Sequence, residues 1–124
     1  MIVGAVRRGR LIVALEIGSP DGRRRRVEAM LDTGFTGDLL LPADLVRSFG
    51  LPPLGEIVAI TADGRRQVFV TYEGRASWPS EPPGRVEVVA TGNQPLCGSR
   101  LLRGQHVAFD MIEGGAIEIT PLAD

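Results

Sequence analysis

An all-β domain of many short strands, with one or two short helices, is the fold class that this sequence predicts. Three observations carry that expectation. Glycine (16) and proline (9) recur along the 124 residues and cut the chain into short apolar runs, which suits strands joined by turns rather than long helices. Several of those runs alternate apolar and polar residues, the period-two pattern of a half-buried strand. Asp-Gly pairs, Asp21-Gly22 and Asp63-Gly64, lie between strand-like runs, where they signal tight turns.

Taken in order, Leu11, Val13, Leu15 and Ile17 fall on one face of a first strand, with Glu16 on the other. Ser19-Pro20-Asp21-Gly22 is a turn, and Arg23 to Arg26 lead into a second strand, Val27 to Leu31, so the two strands read as a hairpin. Leu39-Leu40-Leu41 is a short buried strand. Pro42 suits the first turn of a short helix, Ala43 to Phe49, closed by Gly50. Glu56 to Thr61 and Arg65 to Tyr72 form a second hairpin around Ala62-Asp63-Gly64. Trp78 to Gly84 holds three prolines and reads as an irregular loop. Val86 to Ala90 is a further strand, Ser99 to Arg103 is a helical turn stopped by Gly104, and two last strands span Gln105 to Ile112 and Ala116 to Thr120. No internal repeat is present, and residues 1–124 read as one domain.

Composition narrows the function classes. Charged residues make up 23% of the chain but sum to a net charge of −1, so there is no global attraction to nucleic acid or anionic lipid. No apolar run approaches the roughly 20 residues that cross a bilayer. Residues 1–15 are broken by Arg7, Arg8 and Arg10 and lack the order of a signal peptide, so the cytoplasm is the expected compartment. The single cysteine, Cys97, excludes an internal disulfide. With His106 the only histidine, neither a zinc site nor a Cys-His nucleophile is expected, and no metal or cofactor is implied. The Arg23 to Arg26 run reads as a solvated strand end.

One motif carries chemistry. In Ala29-Met30-Leu31-Asp32-Thr33-Gly34-Phe35-Thr36-Gly37-Asp38-Leu39-Leu40-Leu41, an apolar strand delivers an aspartate, a glycine turn follows, and an apolar strand departs. Farther on comes Pro95-Leu96-Cys97-Gly98-Ser99-Arg100-Leu101-Leu102, and a hairpin lies between the two. These features, in this order, resemble the retropepsin-like, single-domain aspartic proteases, in particular the bacterial and archaeal group whose motif reads Asp-Thr-Gly-Phe. The resemblance spans about Arg10 to Thr120.

That resemblance implies a closed, barrel-like β fold, a homodimer, and an endopeptidase acting on a peptide or protein substrate. Two carboxylates sharing one proton supply both the base that activates water and the acid that protonates the carbonyl. The handful of residues around one Asp-Thr-Gly offers a single suitable carboxylate, so the second is Asp32 of another copy across a two-fold axis. By the same resemblance Thr33 hydrogen-bonds across the axis, Gly34 admits backbone close to the carboxylates, and Ala62, Asp63 and Gly64 form the tip of a flap over the substrate. Gly34, Phe35 and the flap tip are the substrate-binding candidates. Phe35 stands where two-lobed aspartic proteases often carry a hydroxyl, so activity is expected to extend toward less acidic pH. Two positions depart from the retroviral pattern. Thr36 and Ser99 occupy the places of a paired Asp and Arg, so another contact is expected to replace that ion pair. The reading from a different class is a catalytically silent dimer of the same fold that binds a peptide or protein.

Overall fold

The computed structural model describes residues 1–123. Its elements run β1 (Ile2–Arg7), β2 (Arg10–Gly18), β3 (Arg24–Leu31), β4 (Leu39–Leu41), α1 (Ala43–Phe49), β5 (Pro53–Ile60), β6 (Arg66–Ser77), β7 (Gly84–Ala90), β8 (Leu96–Cys97), β9 (Gln105–Phe109) and β10 (Ala116–Pro121). The strands form one sheet, in the order β5-β6-β7-β4-β8-β3-β2-β1-β10-β9. An added pairing of β6 with β2, Glu16 opposite Ser77 to Gly18 opposite Arg75, joins six of them in a cycle from β2 through β6. The sheet's two ends, β5 and β9, keep open edges.

Burial follows the sequence alternation. In β3 Val27, Ala29 and Leu31 are buried while Arg26 and Glu28 are exposed. In β10 Ile117 and Ile119 are buried on either side of exposed Glu118. These faces meet Val13, Leu15 and Ile17 of β2, Leu39 and Leu41 of β4, Val86 and Val88 of β7, and Cys97 in one core. Helix α1 covers it with Val46 and Phe49 and ends at Gly50, whose left-handed backbone (φ 63°) directs its N–H to the Arg47 carbonyl. Every helix and strand expected from the sequence is present, apart from the turn after Gly98. There, i→i+3 hydrogen bonds run from Leu101, Leu102 and Arg103 to Gly98, Ser99 and Arg100, and α1 is the one helix among the described residues.

Three features go beyond the sequence expectation. Strand β1 was masked by the Arg-rich break after it. That break is a two-residue turn in which Arg8 (φ 51°) and Gly9 (φ 75°) both adopt the left-handed conformation that matches hairpin twist. Strand β6 continues past Tyr72 to Ser77, because its second half is paired with β7 on one side and with β2 near its end. Finally, β10 is flanked by β1 and β9 of the same chain, so β9 is the C-terminal strand with a free edge. Among the described residues no helix is long and apolar enough to cross a membrane.

The arginine run is accounted for locally. Arg23 pairs with Asp21 (3.0 Å) and Arg24 with Glu16 (3.2 Å), while the Arg25 guanidinium lies 5.2 Å from the Phe49 ring centroid.

Candidate active site

Asp32 follows the last residue of β3, and its position is set by a neighbour distant in sequence. Strand β8 is only two residues long, yet it runs parallel to β3 (Leu31 opposite Cys97) and antiparallel to β4 (Leu39 opposite Cys97). The Asp32 N–H donates to the Cys97 carbonyl at 2.9 Å, and the Met30 N–H donates to Pro95 at 3.0 Å. The 32–38 loop then passes beside the end of β8. Gly98, Ser99 and Arg100 donate their N–H groups to the carbonyls of Asp38 (2.9 Å), Phe35 (2.8 Å) and Gly37 (3.2 Å). The two segments singled out in the sequence are thus laced together by backbone.

Glycine at 98 is required by room. A Cβ there would stand 2.1 Å from the Gly37 carbonyl oxygen, a distance no packing allows. The Asp32 side chain is half-buried, and its Oδ1 accepts the Gly34 N–H at 2.9 Å. A Cβ on Gly34 would lie 3.1 Å from that same oxygen, consistent with the need for a small residue beside the carboxylate. Thr33 and Gly34 are exposed. The Phe35 ring is half-buried and rests against Gly37 and Gly98.

Asp38 ties the loop to two other segments. Its Oδ2 accepts the Glu87 N–H from β7 at 2.9 Å, and Arg100 lies 3.9 Å from the same oxygen and 3.8 Å from Glu87. An acid-base pair therefore links the Asp32 loop to the Gly98 segment, displaced from the Thr36 and Ser99 positions. The signal available in the sequence was an aspartate directly before the wholly apolar Leu39–Leu41 run, where an unpartnered carboxylate would be costly.

Ala62, Asp63 and Gly64 form the exposed tip of the β5–β6 hairpin. The tip closes on itself: Thr61 donates its N–H to Arg65 O (2.9 Å), Gly64 donates to Thr61 O (2.9 Å), and Gly64 has φ 83°. Asp63 accepts from the Thr61 hydroxyl and from the Arg65 N–H (3.1 Å), and these bonds hold its carboxyl below its ordinary range. Its side chain thus serves the turn. Among the described residues no hydrogen bond joins the tip to the 32–38 loop.

Next to the Asp loop lies a groove of about 440 Å³ lined by Leu11, Leu31, Thr33, Leu102, Val107 and Phe109. It leads from Thr33 to the open β9 strand. A larger groove, about 620 Å³, is bordered by Val3, Ala14, Arg24, Arg26 and Trp78 and contains no residue of the 32–38 loop. Cys97 is fully buried, and burial pushes its thiol up to about 12, so it stays protonated and inert. His106 is exposed on β9, and nothing brings the two together.

No family model matches this sequence, and no curated protein matches it. Among solved structures, a retropepsin-like aspartic protease from Rickettsia conorii superposes with a TM-score of 0.58, covering 99% of this chain and 92% of its own, at 17% identity. At that identity the likeness speaks to architecture, and it takes in nearly all of both chains: the fold of this chain is the retropepsin-like one.

Proposed function

We propose that this chain is one protomer of an aspartic endopeptidase whose active site forms when Asp32 of two copies meet across a two-fold axis. The observation that carries this reading is the setting of Asp32. Its backbone is locked by β8 and the Gly98 segment, while its half-buried carboxylate emerges beside exposed Thr33 and Gly34. A carboxylate that served only its own turn would not need this support from a segment more than sixty residues away.

The chemistry follows from two such groups at contact distance. Both cannot ionise, so they hold one proton between them. The ionised member takes a proton from water as it attacks the scissile carbonyl. The protonated member donates to the carbonyl oxygen, giving a tetrahedral diol whose breakdown releases the amine with the proton returned. The apparent titration belongs to the pair. An extended peptide would pair by strand addition with backbone at Gly34 and at Ala62 to Gly64, and the β5–β6 hairpin would close over it as a flap. The six-strand cycle supports the closed, barrel-like fold that the resemblance implies.

Assembly in this reading uses the side of the protomer that carries Thr33. The adjacent groove is mostly apolar, with Thr33, Ser99 and Gln105 among its lining residues, and β9 offers unpaired backbone groups to a second copy. Because β10 is already paired on both sides within its own chain, the C-terminal strand edge open to a second copy is that of β9. A lone, buried Cys97 suits a reducing compartment, and we place the protein in the cytoplasm.

The test is incubation of the purified protein with a diverse peptide library across a range of pH, with and without pepstatin, beside Asp32→Asn. Pepstatin-sensitive cleavage that Asp32→Asn abolishes is expected. Cleavage retained by Asp32→Asn defeats the assignment, and peptide binding with no cleavage by the wild type favours the silent dimer.

A further inference from the structure

We propose that Phe35 is a positioning residue for Asp32, its ring filling a cradle between Gly37 and Gly98 and clamping the aspartate loop onto the segment after β8. The clamp stands on packing alone; its consequence for turnover rests on the peptidase reading.

The cradle is visible in what the two glycines exclude. A Cβ built on Gly37 would meet three atoms of the Phe35 ring, at 2.7, 3.0 and 3.5 Å, and no other group as near. A Cβ on Gly98 would meet the same ring at 2.7 Å, besides backbone oxygens of Gly37 and Phe35. Neither glycine has a left-handed φ, so backbone conformation does not demand glycine at either place. Room does, and at Gly37 the room is taken by the ring. A phenyl group three residues beyond Asp32 therefore packs against both the 32–38 loop and the segment after β8.

The other ties to the segment after β8 are polar: the Asp32 N–H bond to Cys97 and the loose Asp38–Arg100 pair, 3.9 Å apart, whose largely buried Asp38 also accepts the Glu87 N–H. Thr36 is exposed. The backbone bonds from Gly98, Ser99 and Arg100 fix the rim of the loop, and Phe35 itself supplies one acceptor, its carbonyl taking the Ser99 N–H at 2.8 Å. The half-buried ring lies against that rim at Gly37 and Gly98. Removing it leaves two glycines facing a void, and glycine-rich backbone relaxes readily into such space. The Asp32 carboxylate, oriented by the Gly34 N–H in the same loop, would shift with it. A displacement near 1 Å at a reacting group can lower turnover by about a hundredfold.

Two measurements test the proposal. The first is a thermal double-mutant cycle that needs no activity. Gly37→Ala should lower Tm by about 3–8 °C in the wild-type background. In a Phe35→Ala background, where the colliding ring is gone, the same change should move Tm by no more than about 1 °C. Should Phe35→Ala fail to fold, Phe35→Leu takes its place in the cycle, with partial relief expected. Additive Tm shifts overturn the clamp. The second is kinetic. Phe35→Ala should reduce kcat by about tenfold or more with KM within about twofold, and Phe35→Leu should recover most of the loss. Wild-type kcat in a folded, dimeric Phe35→Ala protein overturns the positioning role. If the wild type cleaves nothing that depends on Asp32, the peptidase reading fails, and the thermal cycle still decides the clamp.

Discussion

The 32–38 loop and the 61–65 hairpin tip are both tight glycine-containing turns, yet they are held in opposite ways. The first is fastened from outside. Its backbone is bonded to Cys97, Gly98, Ser99 and Arg100, and Gly98 leaves no room for a Cβ beside the Gly37 carbonyl. The second is fastened only to itself, through Thr61, Asp63, Gly64 and Arg65, and nothing lies within 4 Å of the place where a Gly64 Cβ would be. Its strands carry Val58, Ile60 and Val68 at 62%, 72% and 57% exposure. The difference teaches where rigidity is invested. In the proposed peptidase the Asp32 carboxylate must be placed accurately before substrate arrives, and packed backbone suits that need. In the proposed peptidase the hairpin would open and close over substrate, and a locally held turn suits that motion.

The same substitution made in both regions separates them most sharply. Gly98→Ala forces a methyl against the Gly37 carbonyl, and overpacking against backbone should destabilise by about 3 kcal/mol or prevent folding. Gly64→Ala meets no atom and suffers only its left-handed φ of 83°, a penalty of about 1 kcal/mol. Urea denaturation of the two variants measures both, and near-equal losses would erase the distinction. Of intermediate size is the tie through Asp38. Asp38→Ala strands the half-buried Glu87 N–H and should cost about 1–2 kcal/mol, whereas Asp38→Asn keeps an acceptor there and should recover most of it.

Acid should weaken the sheet at Glu73 of β6. The hydrogen bond from Arg75, with the Arg85 charge adding to it, outweighs desolvation and holds the Glu73 carboxyl below its ordinary 4.5. A carboxyl lowered in the folded state contributes stability that is complete above its unfolded value and is lost as pH falls through its lowered folded value. Tm should therefore decline below about pH 4.5, and Glu73→Gln should make that decline shallower. An unchanged slope in Glu73→Gln would remove Glu73 from the acid response. The smallest effect is expected on the hairpin: Val58→Thr combined with Val68→Thr should alter stability by no more than about 0.5 kcal/mol, since both side chains are already in water. A loss of several degrees in Tm would mean that this face is covered in solution.

How much of this was legible in the sequence depended on distance along the chain. The β2–β3 hairpin, the Leu39–Leu41 strand, helix α1 with Pro42 before it and Gly50 after it, and the β5–β6 hairpin around Asp63-Gly64 all rest on local signals, and all are present. Strand β1 escaped because Arg8-Gly9 reads as a polar interruption, although both residues occupy the left-handed region that a two-residue hairpin turn requires. The extension of β6 to Ser77 could not be read from Glu73-Gly74-Arg75, since β7 and β2 impose it from outside. At the site, Asp32 and Gly98 were both found by motif. The Phe35 ring on Gly37 and Gly98, and Asp38 beside Arg100, depend on two segments meeting in space, which no local pattern records.

A shared Asp32 dyad is tested most directly by mixing. Wild-type protein at fixed concentration is incubated with Asp32→Asn long enough for subunits to exchange, and peptide cleavage is followed as the variant is increased. Protomers that must pair to work should lose about half their activity at equal parts and nearly all of it at large excess, because mixed pairs carry one carboxylate in place of two. Activity that stays constant at every ratio, with exchange verified by sedimentation of labelled subunits, would mean that one chain is sufficient and that the two-copy site is wrong.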